Sequence, residues 1–285
     1  MANEATSSVL SELYANIVQS ALFTLNEKTV IRPLVRNYDM SGTPGLTAQV
    51  PIYPTVAAAA VADGTDLANT GFNTTSKTIT ASEVGVMVEL TDLAAESASE
   101  DVAAAIGRQI GSAMAEKVDT DIAALFADFS NAIDKSAAAV DIEDIFKAAA
   151  TLRANNADQN GAYVCVLHPY QAFDLKKQLT NAGATMSHAL SDVGNSALRD
   201  GFLGRIAGVD IFESNVISGD SAGTFHGAVM TQDALGYMVK RAMRIETERN
   251  ASKRSLEIVG SMAYGVSELF DQYGVAINSD ATAVI

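Results

Sequence analysis

The sequence predicts a mixed α+β fold, and three observations carry the prediction. Between Val102 and Phe126 an apolar residue recurs every four positions, the period of one long buried helix face. "MVKRAMRIETERN" and "LEIVGSMAYGVSEL" alternate apolar with polar residues on either side of the break "ASKRS", the pattern of a long antiparallel hairpin. Between those two features, residues 136–236 alternate short helical and strand-like runs.

Along the chain, residues 7–25 place Val9, Leu10, Leu13, Ile17, Val18 and Ala21 at three- and four-residue intervals, which predicts an amphipathic helix. Its stripe belongs to no obvious domain, so it needs another surface to lie on. The next stretch, "NEKTVIRPLVRNYDMSGTPGLTAQVPIYPT", holds four of the five prolines and reads as an extended arm feeding the strand "LTAQVPIYP". Residues 55–82 are rich in Ala, Thr, Gly and Asn, and alone could not offset their own ordering entropy. They are either disordered or ordered by a neighbour. The flanks favour order, because "KTITAS" and "VGVMVELTD" alternate like the two sides of a long hairpin.

The helix that follows is expected to start at the S-x-x-E box of Ser97 and Glu100. Continued to Phe129 it would span about 50 Å, long for a compact domain. Nine carboxylates lie between Glu83 and Asp121, against Arg108 and Lys117. They form either a solvated face or a face that meets a basic surface of another subunit. Beyond it, "DIEDIFKAAATLRANN" reads as a helix, "GAYVCVLHP" as a buried strand, and "PYQAFDLKKQL" as a helix opened by Pro169. "GFLGRIAGVDIFESN" has neither a dinucleotide nor a P-loop spacing and predicts a glycine-bent entry into a strand. "GDSAGTFHGAVMTQDAL" supplies another turn and strand. The tip of the long hairpin gathers Arg249, Lys253 and Arg254. That cluster is either solvated or paired with a neighbour's carboxylates.

Composition narrows the function. With 48% hydrophobic and 19% charged residues, the 285-residue chain is less charged than a typical solitary domain at about 25%. Much of its surface is therefore expected to be covered by something other than water. A formal charge of −15 disfavours recruitment of a polyanion. A single cysteine, Cys165, permits no internal disulfide and points to a reducing compartment. Neither a signal peptide nor an apolar run of membrane-spanning length is read, so a soluble protein that stays where it is made is expected. The three histidines, His168, His188 and His226, lack metal-ligand spacing, and Cys165 has no nearby cation. No catalytic, cofactor or metal residue is assigned, and an enzyme is not expected.

Taken in order, "VPIYP", "VMVELTDLAAESASEDV", "IGRQIGSAMAEKVDTDI", "VCVLHPYQAFDLKKQL", "GFLGRIAGVDIFESN" and "IVGSMAYGVSELFDQYGVAI" span essentially the whole chain. In this order and spacing the sequence resembles the major capsid proteins of tailed double-stranded DNA bacteriophages, the Hong Kong 97 type fold. The resemblance implies an N-terminal arm at 1–40 and an extended loop at 41–85. It further implies a peripheral domain of spine helix and long hairpin at 86–135 and 237–268, and an axial domain at 136–236 and 269–285.

It implies hexamers and pentamers tiling an icosahedral shell around the packaged genome. The shell would be assembled as a procapsid in the host bacterial cytoplasm with scaffolding, portal and, in some members, decoration proteins. With few residues before the arm helix, scaffolding is expected to be a separate protein. The expected interface residues are Leu13 and Ile17 of the arm helix, Asp63, Asp66 and Lys77 of the loop, and Arg249, Lys253 and Arg254 of the hairpin tip. Some members join subunits through a loop lysine, an asparagine and a glutamate; Lys77, Asn250 and Glu257 match these poorly, so cross-linking is not expected. Two other readings compete: an encapsulin-like nanocompartment shell and a stand-alone α+β binding domain.

Overall fold

The structure, a computed structural model, describes the chain apart from residues 1–16, 26–27, 54–55, 57, 62, 67–68, 70, 98–101, 158–161, 186–203, 221–222 and 282–285. Leu13, His188, Gly201 and the glutamate of the predicted Ser97–Glu100 box therefore lie outside the described residues.

The alternating runs become three sheets. A four-stranded sheet has the order β1 (Arg36–Asp39), β10 (Leu235–Asn250), β11 (Ser255–Glu268) and β4 (Ser82–Thr91). A six-stranded sheet runs β5 (Ala132–Lys135), β12 (Gly274–Asp280), β9 (Thr224–Met230), β6 (Tyr163–Leu167), β8 (Val209–Glu213) and β7 (Arg205–Ile206). The third is a two-stranded ribbon of β2 (Thr47–Ile52) and β3 (Thr75–Thr80). The helices are α1 (residues 17–25), α2 (Asp92–Ser97), α3 (Val102–Ala124), α4 (Ile142–Ala154) and α5 (Pro169–Thr185).

The predicted hairpin is present, with Asn250 opposite Ser255 and Leu235 opposite Glu268, interrupted by register shifts near Arg241. The turn before β8 is as expected: Ala207 and Gly208 take φ of 57° and 85°, a left-handed pair that closes β7 onto β8. Asp141 opens α4, its backbone N–H donating to the Asp144 carboxylate at 2.9 Å.

α3 buries the predicted stripe: Ile110, Met114, Val118, Ile122 and Phe126 are each at most 2% exposed. α3 ends earlier than expected, because the α-helix stops at Ala124 and a 3₁₀ turn covers Leu125–Asp128; from Val102 the described helix is about 35 Å long. The tighter turn swings Phe129 into the six-stranded sheet, where it occupies the space over Gly274. A Cβ on that glycine would stand 2.2 Å from the Phe129 ring. The same turn delivers the chain to β5, so Ala132–Lys135, grouped by sequence with the spine helix, pairs in parallel with β12.

A second correction concerns "KTITAS" and "VGVMVELTD", which do not pair with each other. The first, β3, pairs with β2, and the second, β4, pairs with β11. Only Ala81 separates the two strands; it is buried, and its N–H donates to the Leu46 carbonyl at 2.8 Å. Alternation marks a strand but does not name its partner, and here a nearly continuous strand passes from one sheet to another.

The third correction is the arm helix. The stripe that the sequence assigns to a neighbouring subunit lies on the chain's own α3. Ile17 and Ala21 are fully buried and Leu25 is 5% exposed. All three belong to the cluster that includes Ile110, Met114 and Met262. A separate core gathers Ile145, Leu152, Leu167, Leu175 and Val209 between α4, α5 and the six-stranded sheet. Among the described residues no helix is long and apolar enough to cross a membrane.

Candidate subunit-contact surfaces

The basic hairpin tip finds its counter-charges within the chain. Arg249 grips Asp92 through both guanidinium nitrogens, at 2.5 and 2.6 Å, and Lys253 reaches Glu89 at 3.2 Å. The Arg254 carbonyl accepts the Asp92 N–H at 3.0 Å. β11 lies between β10 and β4 and brings the three together, so the contact expected from a neighbour's carboxylates is made by β4 and the start of α2. The acidic run from Glu83 is likewise paired at Glu83 with Arg241, and Asp121 accepts from Lys117 and from the Tyr264 hydroxyl, each at 2.6 Å. Tyr264 is pushed well above the usual phenol range, first by burial and then by that carboxylate.

The Arg249 hydrogen bond is the chief cause of a lowered Asp92 pKa, and the Ser255 hydroxyl followed by Lys253 lowers that of Glu89. A depressed carboxylate adds stability above its ordinary pKa and loses it as pH falls through the depressed value. Both carboxylates face solvent, so the effect on stability is small. Arg249→Ala should return the Asp92 titration to the ordinary carboxylate range in an NMR pH series while the thermal midpoint scarcely moves.

The segments that flank the ribbon strands β2 and β3 carry a run of unburied apolar side chains. Leu46, Tyr53, Val56, Val61 and Phe72 are between 45% and 63% exposed. Tyr53 and Phe72 stack at 5.9 Å between centroids, which narrows the neck of the loop. Asp63 and Asp66 are exposed beyond it, and neither forms an ion pair with a described residue. Lys77 is held at the ribbon's base by Glu268 at 3.2 Å. It is distant in the fold from Asn250, which donates to Glu257 at 3.0 Å beside the hairpin tip.

The third surface is where the arm meets α3, and two of its determinants escape a periodicity reading. A Cβ on Gly107 would stand 2.7 Å from the Ile17 carbonyl oxygen, and one on Gly111 would stand 2.3 Å from that of Ala21. The four-residue spacing puts both glycines on one face of α3 and makes a notch for α1. Asp119 is the other determinant, 2% exposed. Its carboxylate accepts the backbone N–H groups of Val30, Ile31 and Arg32 at 2.7, 3.2 and 3.1 Å. A G-x-x-x-G within the helix and a carboxylate flanked at four-residue spacing by Ala115 and Ala123 are the sequence features that mark this joint.

Chemistry-bearing side chains elsewhere are built into the fold. Cys165 is fully buried and burial pushes its thiol up. His168 stacks on Phe225 at 4.0 Å and accepts the Tyr170 N–H at 3.2 Å, while His226 contacts Asn278 at 2.8 Å.

Solved structures similar to this chain include phage capsids. Against a structure titled "Mycobacterium phage Che8" the TM-score is 0.71 at 21% identity, covering 87% of this chain and 90% of that one. The capsid of the cyanophage P-SCSP1u gives 0.70 at 20% identity, covering 89% of each chain. A virus-like particle from Pyrococcus furiosus gives 0.61 at 9% identity, covering 93% of this chain and 98% of that one. At such identities the likeness speaks for the Hong Kong 97 type fold alone. Among curated proteins no relative matches. The profile of the family described as phage capsid protein matches residues 74–278, well over half of the 285. The match contains the ribbon's second strand, α3, the long hairpin and nearly all of the six-stranded sheet, and by it this chain belongs to the phage capsid protein family.

Proposed function

We propose that this protein is the major capsid protein of a tailed bacteriophage, the repeating tile of an icosahedral shell that encloses packaged double-stranded DNA. The observation that carries the reading is the β2–β3 loop. It displays four large apolar side chains to solvent, Tyr53, Val56, Val61 and Phe72, with Leu46 exposed just before β2, and among the described residues nothing buries them. Exposed apolar groups in one segment mark a contact surface. A loop that lies over the adjacent tile gives it cover, and many such contacts sum to a stable container.

The arm is residues 1–40, the loop 41–85, the peripheral domain 86–135 with 237–268, and the axial domain 136–236 with 269–285. The four-stranded sheet with α3 supports the peripheral assignment, and the six-stranded sheet supports the axial one, to which β5 at Ala132–Lys135 belongs by its pairing with β12. Hexamers and pentamers form around the axial domains, with scaffolding and portal proteins as assembly partners in the host cytoplasm and the virion as the destination. A net charge of −15 suits a wall that holds DNA without clamping it. The chain acts by assembly rather than catalysis. An encapsulin-like compartment shares the fold, but the family to which the chain belongs favours the phage reading.

Electron microscopy of the native material should show closed polyhedral shells, with nuclease-protected DNA inside when they are recovered from infected cells. Shells that hold a protein cargo and no DNA would select the compartment. Particles that stay monomeric or dimeric across salt and concentration would overturn the shell reading.

A further inference from the structure

We infer that the seam between α1 and α3, centred on Phe23 and Arg108, receives the acidic loop of a second copy of this chain, Asp63 and Asp66 pairing with Arg108 and Lys28. The inference rests on the shell reading and names the surface on which the loop lies.

The argument begins with what α1 leaves uncovered. Its inner face is used up against the glycine notch, but its outer face keeps Phe23 68% and Leu22 37% exposed. Phe23, Gln19 and Thr24 line an open groove whose far wall is Arg108. Among the described residues Arg108 has neither an ion pair nor a hydrogen bond, whereas Arg36, Lys77, Lys135, Lys176 and Arg241 each face a carboxylate. Arg32 and Arg254 also lack an ion pair, but each lies close enough to a carboxylate, Asp119 and Asp92, to pull its pKa downward, and no described carboxylate stands so to Arg108.

Lys28 extends the positive charge along the same seam, its Nζ donating to the Ser112 hydroxyl at 3.0 Å. Ser112 follows Arg108 by one helical turn, so the two cations share a face of α3. Glu116, one turn further on, closes that end and directs an acidic partner toward Arg108.

The occupant must bring carboxylates and apolar surface together. The loop does so: Asp63 and Asp66 lie among exposed Val56, Val61 and Phe72. In the single chain these residues face solvent instead of folding onto the seam. Each limb of the loop, about ten residues, extends up to ~33 Å, enough to cross onto an adjoining tile. Complementary charge sets register and speeds encounter, and Phe23 supplies the apolar anchor. DNA phosphates would suit the two cations but leave Phe23 and the loop's apolar groups uncovered.

The test is assembly by charge reversal in the full chain, scored as shell yield by sedimentation and electron microscopy, with thermal unfolding of the subunit as the fold control. Arg108→Glu should lower the yield at least tenfold with the thermal midpoint unchanged. Asp63→Lys with Asp66→Lys should do the same, and the triple variant should recover most of the wild-type yield. Wild-type yield from Arg108→Glu, or no recovery in the triple variant, overturns the inference while shells of the wild type leave the capsid reading intact. A loss on Arg108→Glu that the aspartate variants do not mirror assigns the seam to another partner and also overturns it. If the wild type forms no shells at all, the capsid reading falls and takes this inference with it.

Discussion

Asp119→Ala should lower the unfolding free energy of the subunit by about 3 kcal/mol and make the arm the first segment to detach. The carboxylate is the acceptor for three consecutive N–H groups, and the one on Ile31 is buried. Alanine leaves those donors without a partner, and a buried unpaired donor costs about 1–3 kcal/mol. The chain limits the loss by undocking residues 28–32 into water, so the expected signature is local. Urea unfolding followed by circular dichroism should show the drop, and limited trypsin digestion should cut first at Lys28, since Pro33 protects the bond after Arg32. A full-length subunit with wild-type stability and protease resistance would mean that the three N–H groups find other acceptors.

Asp119 also has a pH signature. Burial raises its pKa above the ordinary carboxylate value, outweighing the three N–H donors and the nearby Arg32. Lys28, Glu116 and Glu213 line the same recess, and Tyr237 lies close enough to feel the charge. A carboxyl whose folded pKa is raised contributes stability that is complete below its ordinary pKa and is lost as pH rises through the raised one. Asp119→Asn removes that dependence. The wild type should therefore gain on the Asn variant as pH falls through that window, opposite in sign to the effect of Asp92.

Local period and long-range destination were not equally legible in the sequence. The stripe from Ile110 to Phe126, the hairpin from Leu235 to Glu268 and the buried β6 follow from patterns that repeat within one element. Any partner that buries the face satisfies such a pattern, so it reveals the element and leaves the partner open. That is why alternation suggests β3 against β4 although β3 pairs with β2. It is also why the α1 stripe suits a neighbour as well as it suits α3, whose glycine notch holds it.

The candidate interface residues divide the same way. Arg249 and Lys253 are visible as a basic cluster, but their carboxylates sit more than 150 residues away in sequence, on β4 and α2. Ile17 is apolar in the right register and fully buried, yet within the subunit. In the sequence Arg108 stands only as one of two cations, with Lys117, against nine carboxylates, and looks neutralised. Among the described residues Glu83, Glu89, Asp92, Asp119 and Asp121 are engaged by other partners.

Gly111→Val should cost about 3 kcal/mol, although glycine is among the poorest residues for a helix interior. Intrinsic propensity alone predicts the opposite sign, a gain of a few tenths of a kcal/mol. The clash decides it. A Cβ at this position stands 2.3 Å from the Ala21 carbonyl oxygen and 3.0 Å from its Cα, and both are backbone atoms that no rotamer change can move. Either α1 shifts outward or it leaves α3, and in both cases Ile17, Ala21 and Leu25 lose their cover. Ala113→Val, at an exposed position two residues on, adds the same side chain without the clash and serves as the control. The thermal midpoint should fall for Gly111→Val and stay close to wild type for Ala113→Val. Because α1 also forms one wall of the seam at Arg108, the Gly111 variant should lose shell yield even where the subunit remains folded. Equal midpoints for the two valine variants would show that α1 does not sit in the notch.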